Sequence, residues 1–383
     1  MKIIVEREPF AEAISAAMHA AGRSNNIPIL NHLLLKPNGQ AVGIAGTNLD
    51  HRFESSVPAD ITGGGAEPHV AVRGDALVGI VNRLPKGAQL TLEWNESSKG
   101  VSLLAGRSRY KLLALPANDY PDMPPPANAV QFAMSAKVLV EAFKTTAFAT
   151  DQTRNYLKGV YWHQATDANG AWGGNKRKRM AFVATDGHSL ARYAVEAPSN
   201  SADMPPIIVP DAAIGEIVRL FSVAEGSIDI SISSDRASFA HGEALFTTKL
   251  LDETFPDYER AVPGGYDKEA VCDAGDLLAA LQRLELIHVQ ARVGRFRFEA
   301  GKITISASSA EKGEAEEIIE ASYEGPQLDI GILTVGVAEI LQVMDADVCK
   351  LRFCDPATPV LFNAIVNNEP DYSRTFLRMP MRM

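Results

Sequence analysis

Three stretches of the chain begin with the same pattern, and that repetition limits the fold more than any other feature of the sequence. Val5-Glu6-Arg7-Glu8-Pro9-Phe10-Ala11-Glu12-Ala13-Ile14, Met134-Ser135-Ala136-Lys137-Val138-Leu139-Val140-Glu141-Ala142-Phe143 and Cys272-Asp273-Ala274-Gly275-Asp276-Leu277-Leu278-Ala279-Ala280-Leu281 superimpose. Phe10, Leu139 and Leu277 fall in register, as do Ala13, Ala142 and Ala280, then Ile14, Phe143 and Leu281. Apolar residues continue at helical spacing, through Ala17, Met18 and Ala21 in the first copy and Leu284 in the third. Each helix follows a short strand-like run such as Lys2-Ile3-Ile4-Val5. A second helix is expected in Val72–Ile80, Val209–Ile217 and Ile332–Ile340, which keep equal spacing. Alternating runs such as Gln89–Trp94 and Ser227–Ile232 read as half-buried strands.

The first two copies close alike, on Asp119-Tyr120-Pro121-Asp122 and Phe255-Pro256-Asp257-Tyr258, and proline-rich joints follow. The expected domains are therefore 1–126, 127–263 and 264–383, each an α+β unit with two helices on one face of sheet. Glu369-Pro370-Asp371-Tyr372 resembles the closing motif but precedes the last strand, so the match is read as chance.

The formal net charge of −10 argues against a protein that grips DNA by neutralising phosphates; a DNA role would need local patches or topology. Charges at Lys2, Glu6, Arg7 and Glu8 stand where a signal peptide needs an apolar run, and no stretch is long and apolar enough to span a membrane. Three cysteines, Cys272, Cys349 and Cys354, suit a reducing compartment and have no metal-ligand spacing, so a cytoplasmic location is expected.

Several segments, in order and spaced across all three repeats, resemble the bacterial DNA polymerase III beta subunit, the sliding-clamp family. They are Met1-Lys2 with Val5–Glu8, Ile27–Leu35, Gly106–Tyr110, Ala184–Ala191, Phe255–Arg260 and Met379–Met383. The resemblance implies three tandem clamp domains and a head-to-tail homodimer forming a six-domain ring, helices lining the hole and sheets outside. It implies a non-catalytic processivity subunit that encircles double-stranded DNA without sequence preference and needs no cofactor. Short linear motifs of the replicative polymerase alpha subunit, the clamp loader, other polymerases, mismatch repair and ligase proteins would dock in a peptide pocket. The resemblance also implies ring opening by a separate ATP-dependent loader, and the chain has no phosphate-binding GxxxxGK[ST] loop of its own.

Carried over residue by residue, the resemblance puts Thr185, Gly187, His188, Leu190, Pro256, Arg260, Met379, Pro380, Met381 and Arg382 in that pocket, with Leu157 and Leu377 as walls. Methionines flanking a proline suit a groove that accepts varied apolar partners, whereas the plain alternative is a frayed end. Asp186-Gly187 could equally be a simple turn. A hydrolase built on Asp186 and His188 is the rival enzyme reading, with no nucleophile or ligand set at a supporting spacing. Ser189 stands where some relatives carry arginine. DNA contacts are implied for Arg23, Gln152, Arg154 and Tyr156, and subunit contacts for Tyr110 and Ile287, where the adjacent His288 replaces a more apolar residue. Lys176-Arg177-Lys178-Arg179, in an extended hairpin loop, is read as a solvated tip. A further rival is a repeat scaffold that binds proteins but not DNA. Glu8, Glu12, Ser15, His19 and Arg23 mix signs along the first helix, as do Lys137, Glu141 and Lys144 in the second copy, so the inner surface should hold DNA weakly.

Overall fold

The computed structural model describes residues 1–22, 26–63, 69–94, 100–165, 179–262, 265–287 and 293–382. The first repeat runs β1 (Lys2–Glu6), α1 (Arg7–Ala21), β2 (His32–Asn38), β3 (Ala41–Thr47), β4 (His51–Pro58) and β5 (Asp60–Thr62). It ends with β6 (Val70–Arg73), α2 (Gly74–Val81), β7 (Gln89–Glu93), β8 (Gly100–Ala105) and β9 (Ser108–Pro116). The second has β10 (Val130–Ser135), α3 (Ala136–Ala147), β11 (Gly159–Ala165), β12 (Arg179–Thr185) and β13 (Ser189–Glu196). Then come β14 (Ile207–Pro210), α4 (Asp211–Phe221), β15 (Ser227–Ile232), β16 (Arg236–His241) and β17 (Ala244–Lys249). The third has β18 (Lys268–Asp273), α5 (Ala274–Glu285), β19 (Val293–Glu299), β20 (Lys302–Ser309) and β21 (Gly313–Ser322). It closes with β22 (Leu328–Leu333), α6 (Thr334–Met344), β23 (Val348–Phe353), β24 (Val360–Val366), β25 (Glu369–Pro370) and β26 (Arg374–Arg378).

The helical stripes bury as their spacing requires. Phe10, Ile14 and Ala17 on α1, and Leu277, Leu281 and Leu284 on α5, are fully buried. The N-cap Asp273 accepts a hydrogen bond from the Asp276 amide and starts α5 cleanly. The second-helix segments differ from expectation at their apolar openings. Val72, Val209 and Ile332 lie in strands, one residue before their ends, and the helices start two residues after them, at Gly74, Asp211 and Thr334. A β-branched run extends easily, and turns into helix only where the pattern changes. Gly46 on β3 is a glycine of necessity: a Cβ there would lie 2.0 Å from the Ala17 carbonyl oxygen of α1.

Contacts divide the chain into two compact units rather than three. One holds residues 1–137 and 215–250, the other 138–214 and 251–383. Each is organised around one antiparallel sheet that crosses a repeat boundary. In the first unit β17, last strand of the second repeat, pairs with β4, fourth strand of the first, through Leu245–Glu54, Phe246–Phe53, Thr247–Arg52 and Thr248–His51. In the second unit β26, last strand of the third repeat, pairs with β13, fourth strand of the second, from Ser189–Arg378 to Tyr193–Arg374. One rule thus joins both pairs of repeats: last strand onto the fourth strand of the repeat before.

Two half-strands are left over. On β9, Ser108–Leu113 pair with β8 alone; on β21, Gly313–Glu320 pair with β20 alone, among the described residues. They are the last strand of the first repeat and the fourth strand of the third, the two positions that the rule leaves without a mate.

Candidate ligand pocket and open strand edges

In the second unit an apolar cluster gathers Leu157, Ala181, Val183, Leu190, Ile208, Phe255, Tyr258, Leu361 and Leu377. Tyr161, Val262, Tyr266 and Met379 pack against it, half-buried. Strand alternation on β13 and β26 puts Leu190 opposite Leu377, and both face this cluster. Leu157, Leu190 and Leu377 are each 2% exposed, so they lie within the buried cluster rather than lining it as open walls. The aromatic tier beside it is ordered. Tyr161 stacks on Phe255 at 4.8 Å and on His163 at 4.4 Å, and His163 Nε2 lies 3.1 Å from the Tyr258 hydroxyl. Burial pushes the His163 pKa down to about 4 and that of Tyr258 up to about 12, the latter opposed by neighbouring Arg192.

The turn between β12 and β13 forms one rim. Asp186 turns its carboxylate inward, and one oxygen accepts the backbone amides of His188 and Ser189. The Thr185 hydroxyl donates to the Ser189 carbonyl at 2.6 Å and accepts from the Gly187 amide at 3.1 Å. Gly187 has φ +79°, which L side chains rarely adopt. An Asp carboxylate oxygen that caps two backbone amides holds a turn, and no His188–Asp186 side-chain hydrogen bond is found among the described residues. No cluster of three metal-ligating side chains occurs among the described residues.

The segment after β26 is tied down. Met379 N donates to the His188 carbonyl at 2.7 Å, and Met381 N to the Gly331 carbonyl at 2.8 Å. Met379 and Pro380 are half-buried, while Met381 and Arg382 are exposed. Pro256 and exposed Arg260, ion-paired to Asp257 at 2.8 Å, stand on the linker whose Phe255 and Tyr258 cover the cluster. The structure therefore draws together Leu157, Thr185, Gly187, His188, Leu190, Leu377 and Met379, and sequence reading missed Tyr161, Phe255, Val262 and Tyr266.

The 151–156 loop reaches the same turn. Arg154 is held by Asp151, Nε to Oδ2 at 2.8 Å, and its Nη2 donates to the Asp186 carbonyl. Hydrogen bonds from Thr153 and Arg154 hold the Asp151 carboxyl well below its usual range. Gln152 reaches Asp211 at 3.1 Å, and Tyr156 is 39% exposed. Arg23, His288 and Lys176–Lys178 lie outside the described residues.

The open edges carry the most exposed apolar residues of their strands, Leu113 at 74% and Ile318 at 61%. Half-buried Tyr110 lies on the β9 edge. Beside β21, Leu286 is 71% exposed and Ile287 half-buried; Lys312 Nζ donates to the Leu286 carbonyl at 3.0 Å, and Arg283 clasps Glu317 at 2.6 Å. The β9 edge is basic, with Arg107, Arg109 and Lys111, and β21 is acidic, with Glu314, Glu316, Glu317 and Glu320.

Comparison with known proteins accounts for all three repeats. Residues 1–124, 133–257 and 259–382 match the family models of the DNA polymerase III beta subunit N-terminal, central and C-terminal domains. The beta sliding clamp of Caulobacter vibrioides (strain NA1000 / CB15N) is 31% identical over 388 residues, and that of Escherichia coli (strain K12) 27% over 396, covering all of both chains in each case. The crystal structure of the Bartonella birtlesii sliding clamp bound to griselimycin superimposes with a TM-score of 0.91 at 30% identity, and the Caulobacter crescentus clamp matches equally, both over full length. The chain belongs to the DNA polymerase III beta subunit family and is a DNA sliding clamp, a processivity factor of replication rather than an enzyme.

Proposed function

We propose that two copies of this chain join head to tail, the open half of β9 in one against the open half of β21 in the other, twice over. The one observation that carries this is the pairing rule, satisfied at both joints inside the chain and unsatisfied at these two half-strands. A bare edge flanked by exposed Leu113 or Ile318 is normally covered. Basic β9 complements acidic β21, which sets partner and direction. A heterologous contact that closes after two copies gives a ring of six repeats, divided at 126/127 and 263/264, with duplex DNA threaded through it. Tyr110 and Ile287 join Leu113, Leu286 and Ile318 in this contact.

Retention on DNA is then topological, so the acidic chain needs only weak contacts from Arg23, Gln152, Arg154 and Tyr156. Glu216 takes up part of the helix charge, meeting the His19 imidazole at 2.6 Å and the Arg219 guanidinium at 2.7 Å. The apolar pocket of the second unit takes linear motifs of the replicative polymerase alpha subunit, the clamp loader, other polymerases, mismatch repair and ligase proteins, in the cytoplasm. Griselimycin, which the Bartonella birtlesii clamp binds, serves as a small-molecule probe of this proposed pocket. Among the described residues no helix is long and apolar enough to cross a membrane.

Loading the protein onto nicked circular DNA and then cutting the circle tests the ring. The expected result is release on linearisation. Retention on the cut DNA would show surface binding and overturn the topological reading.

A further inference from the structure

The floor of the pocket is explained by apolar packing, but the opposite face of the same strand carries a side chain that packing does not explain. Arg378 is 5% exposed, and among the described residues its guanidinium donates one hydrogen bond, from Nη1 to the Ser189 hydroxyl. Its Nε meets no acceptor among the described residues. The guanidinium lies flat on Gly336 of α6, where a Cβ would come within 2.6 Å of Cζ. Burial lowers its pKa from the usual arginine value, opposed by the negative charges of Asp186 and Glu339. A buried cation with so few partners is costly, so its retention calls for a reason.

Its position supplies one. Arg378 immediately precedes Met379, whose amide donates to His188, and Arg378 itself donates to the next residue of the turn, Ser189. Segment and turn are thus fastened twice, by backbone on the pocket rim and by side chain behind it. Arg154 fastens the Asp186 end of the turn independently. We infer that Arg378 is a positioning residue for the ligand pocket, holding the Asp186–Ser189 rim at fixed separation from Met379–Met381 so that an apolar ligand meets a preformed groove. This rests on the pocket reading above. Ordering the rim beforehand removes a cost that the ligand would otherwise bear.

Griselimycin titrated calorimetrically into the full chain tests this. Arg378→Met is expected to weaken binding about tenfold, and Arg378→Lys, which keeps a donor, to stay within about threefold of the parent. Ser189→Ala is expected to weaken binding on its own and to add nothing in the Arg378→Met background, as coupled partners do. Arg378→Met or Ser189→Ala binding like the parent would overturn the inference, and Ser189→Ala, the milder change, decides it if Arg378→Met fails to fold. A parent chain that does not bind griselimycin would sink the pocket reading itself, and this inference with it.

Discussion

The two closed strand joints inside the chain and the two open half-strands use the same secondary structure to opposite effect. At β4–β17 and β13–β26 each strand finds a mate, and each joint buries an arginine facing a threonine, Arg52 opposite Thr247 and Arg192 opposite Thr375. Arg52 donates to the Pro121 carbonyl and to Glu54 at 2.9 and 2.8 Å. Tyr120, 5.9 Å from the Arg52 guanidinium, donates its hydroxyl to the carbonyls of His32 and Ala45. At β9 and β21 the equivalent strands expose leucine and isoleucine and carry charges of opposite sign. The lesson is that a closed joint is a piece of core, while an open one leaves the sheet interrupted at the surface of the chain, where the proposed dimer would complete it.

The contrast predicts where each substitution will be felt. Arg52→Ala should act on stability, costing about 3 kcal/mol because a fully buried side chain and its hydrogen bonds to Pro121 and Glu54 are lost; a first thermal transition unchanged from the parent would break the contrast. His163, beside the second joint, gives a pH signature. Its folded pKa of about 4 lies below the unfolded value near 6.5, so the neutral form is favoured in the fold. Its contribution is full above about pH 6.5 and is lost as pH falls towards 4, up to about 3 kcal/mol. His163→Gln should flatten denaturant midpoints over that window, and an unchanged slope would show that the imidazole is solvated. At the open edges the effect moves from folding to association. Leu113→Asp or Ile318→Asp should raise the half-dimerisation concentration about a hundredfold with little change in melting, read by sedimentation at several loadings. Smallest is Met379→Ala, expected to weaken griselimycin binding about tenfold with dimerisation intact; a changed sedimentation profile would mean that pocket and edges are not separate.

What the sequence disclosed follows from the range of the interactions. The repeats, the α1 and α5 stripes and the tight Asp186-Gly187 turn are set by neighbours three or four residues apart, so spacing alone reveals them. Strand pairing is not local. That β17 would bond to β4 and β26 to β13, making two compact units from three repeats, was not legible. Leu113 and Ile318 read as ordinary strand residues, since only the pairing shows that their side of the sheet stays bare. Arg52, Arg192 and Arg378 were passed over because arginine is normally at the surface, and their burial depends on carbonyls, hydroxyls and rings far away in sequence. Pocket residues came from family likeness rather than from patterning. Leu157 and Leu377 lie beneath the surface rather than as open walls, because sequence pattern gives the apolar face and not the depth.

In the proposed ring, the unlike chemistry of the two bare edges gives each seam a polarity, since a copy would bring one lysine- and arginine-rich lip and one glutamate-rich lip to two different contacts. A protein damaged only on the first lip and one damaged only on the second, when mixed, can still build a single sound seam. The product would be a hinged pair with a permanent gap, able to admit DNA unaided but unable to keep it.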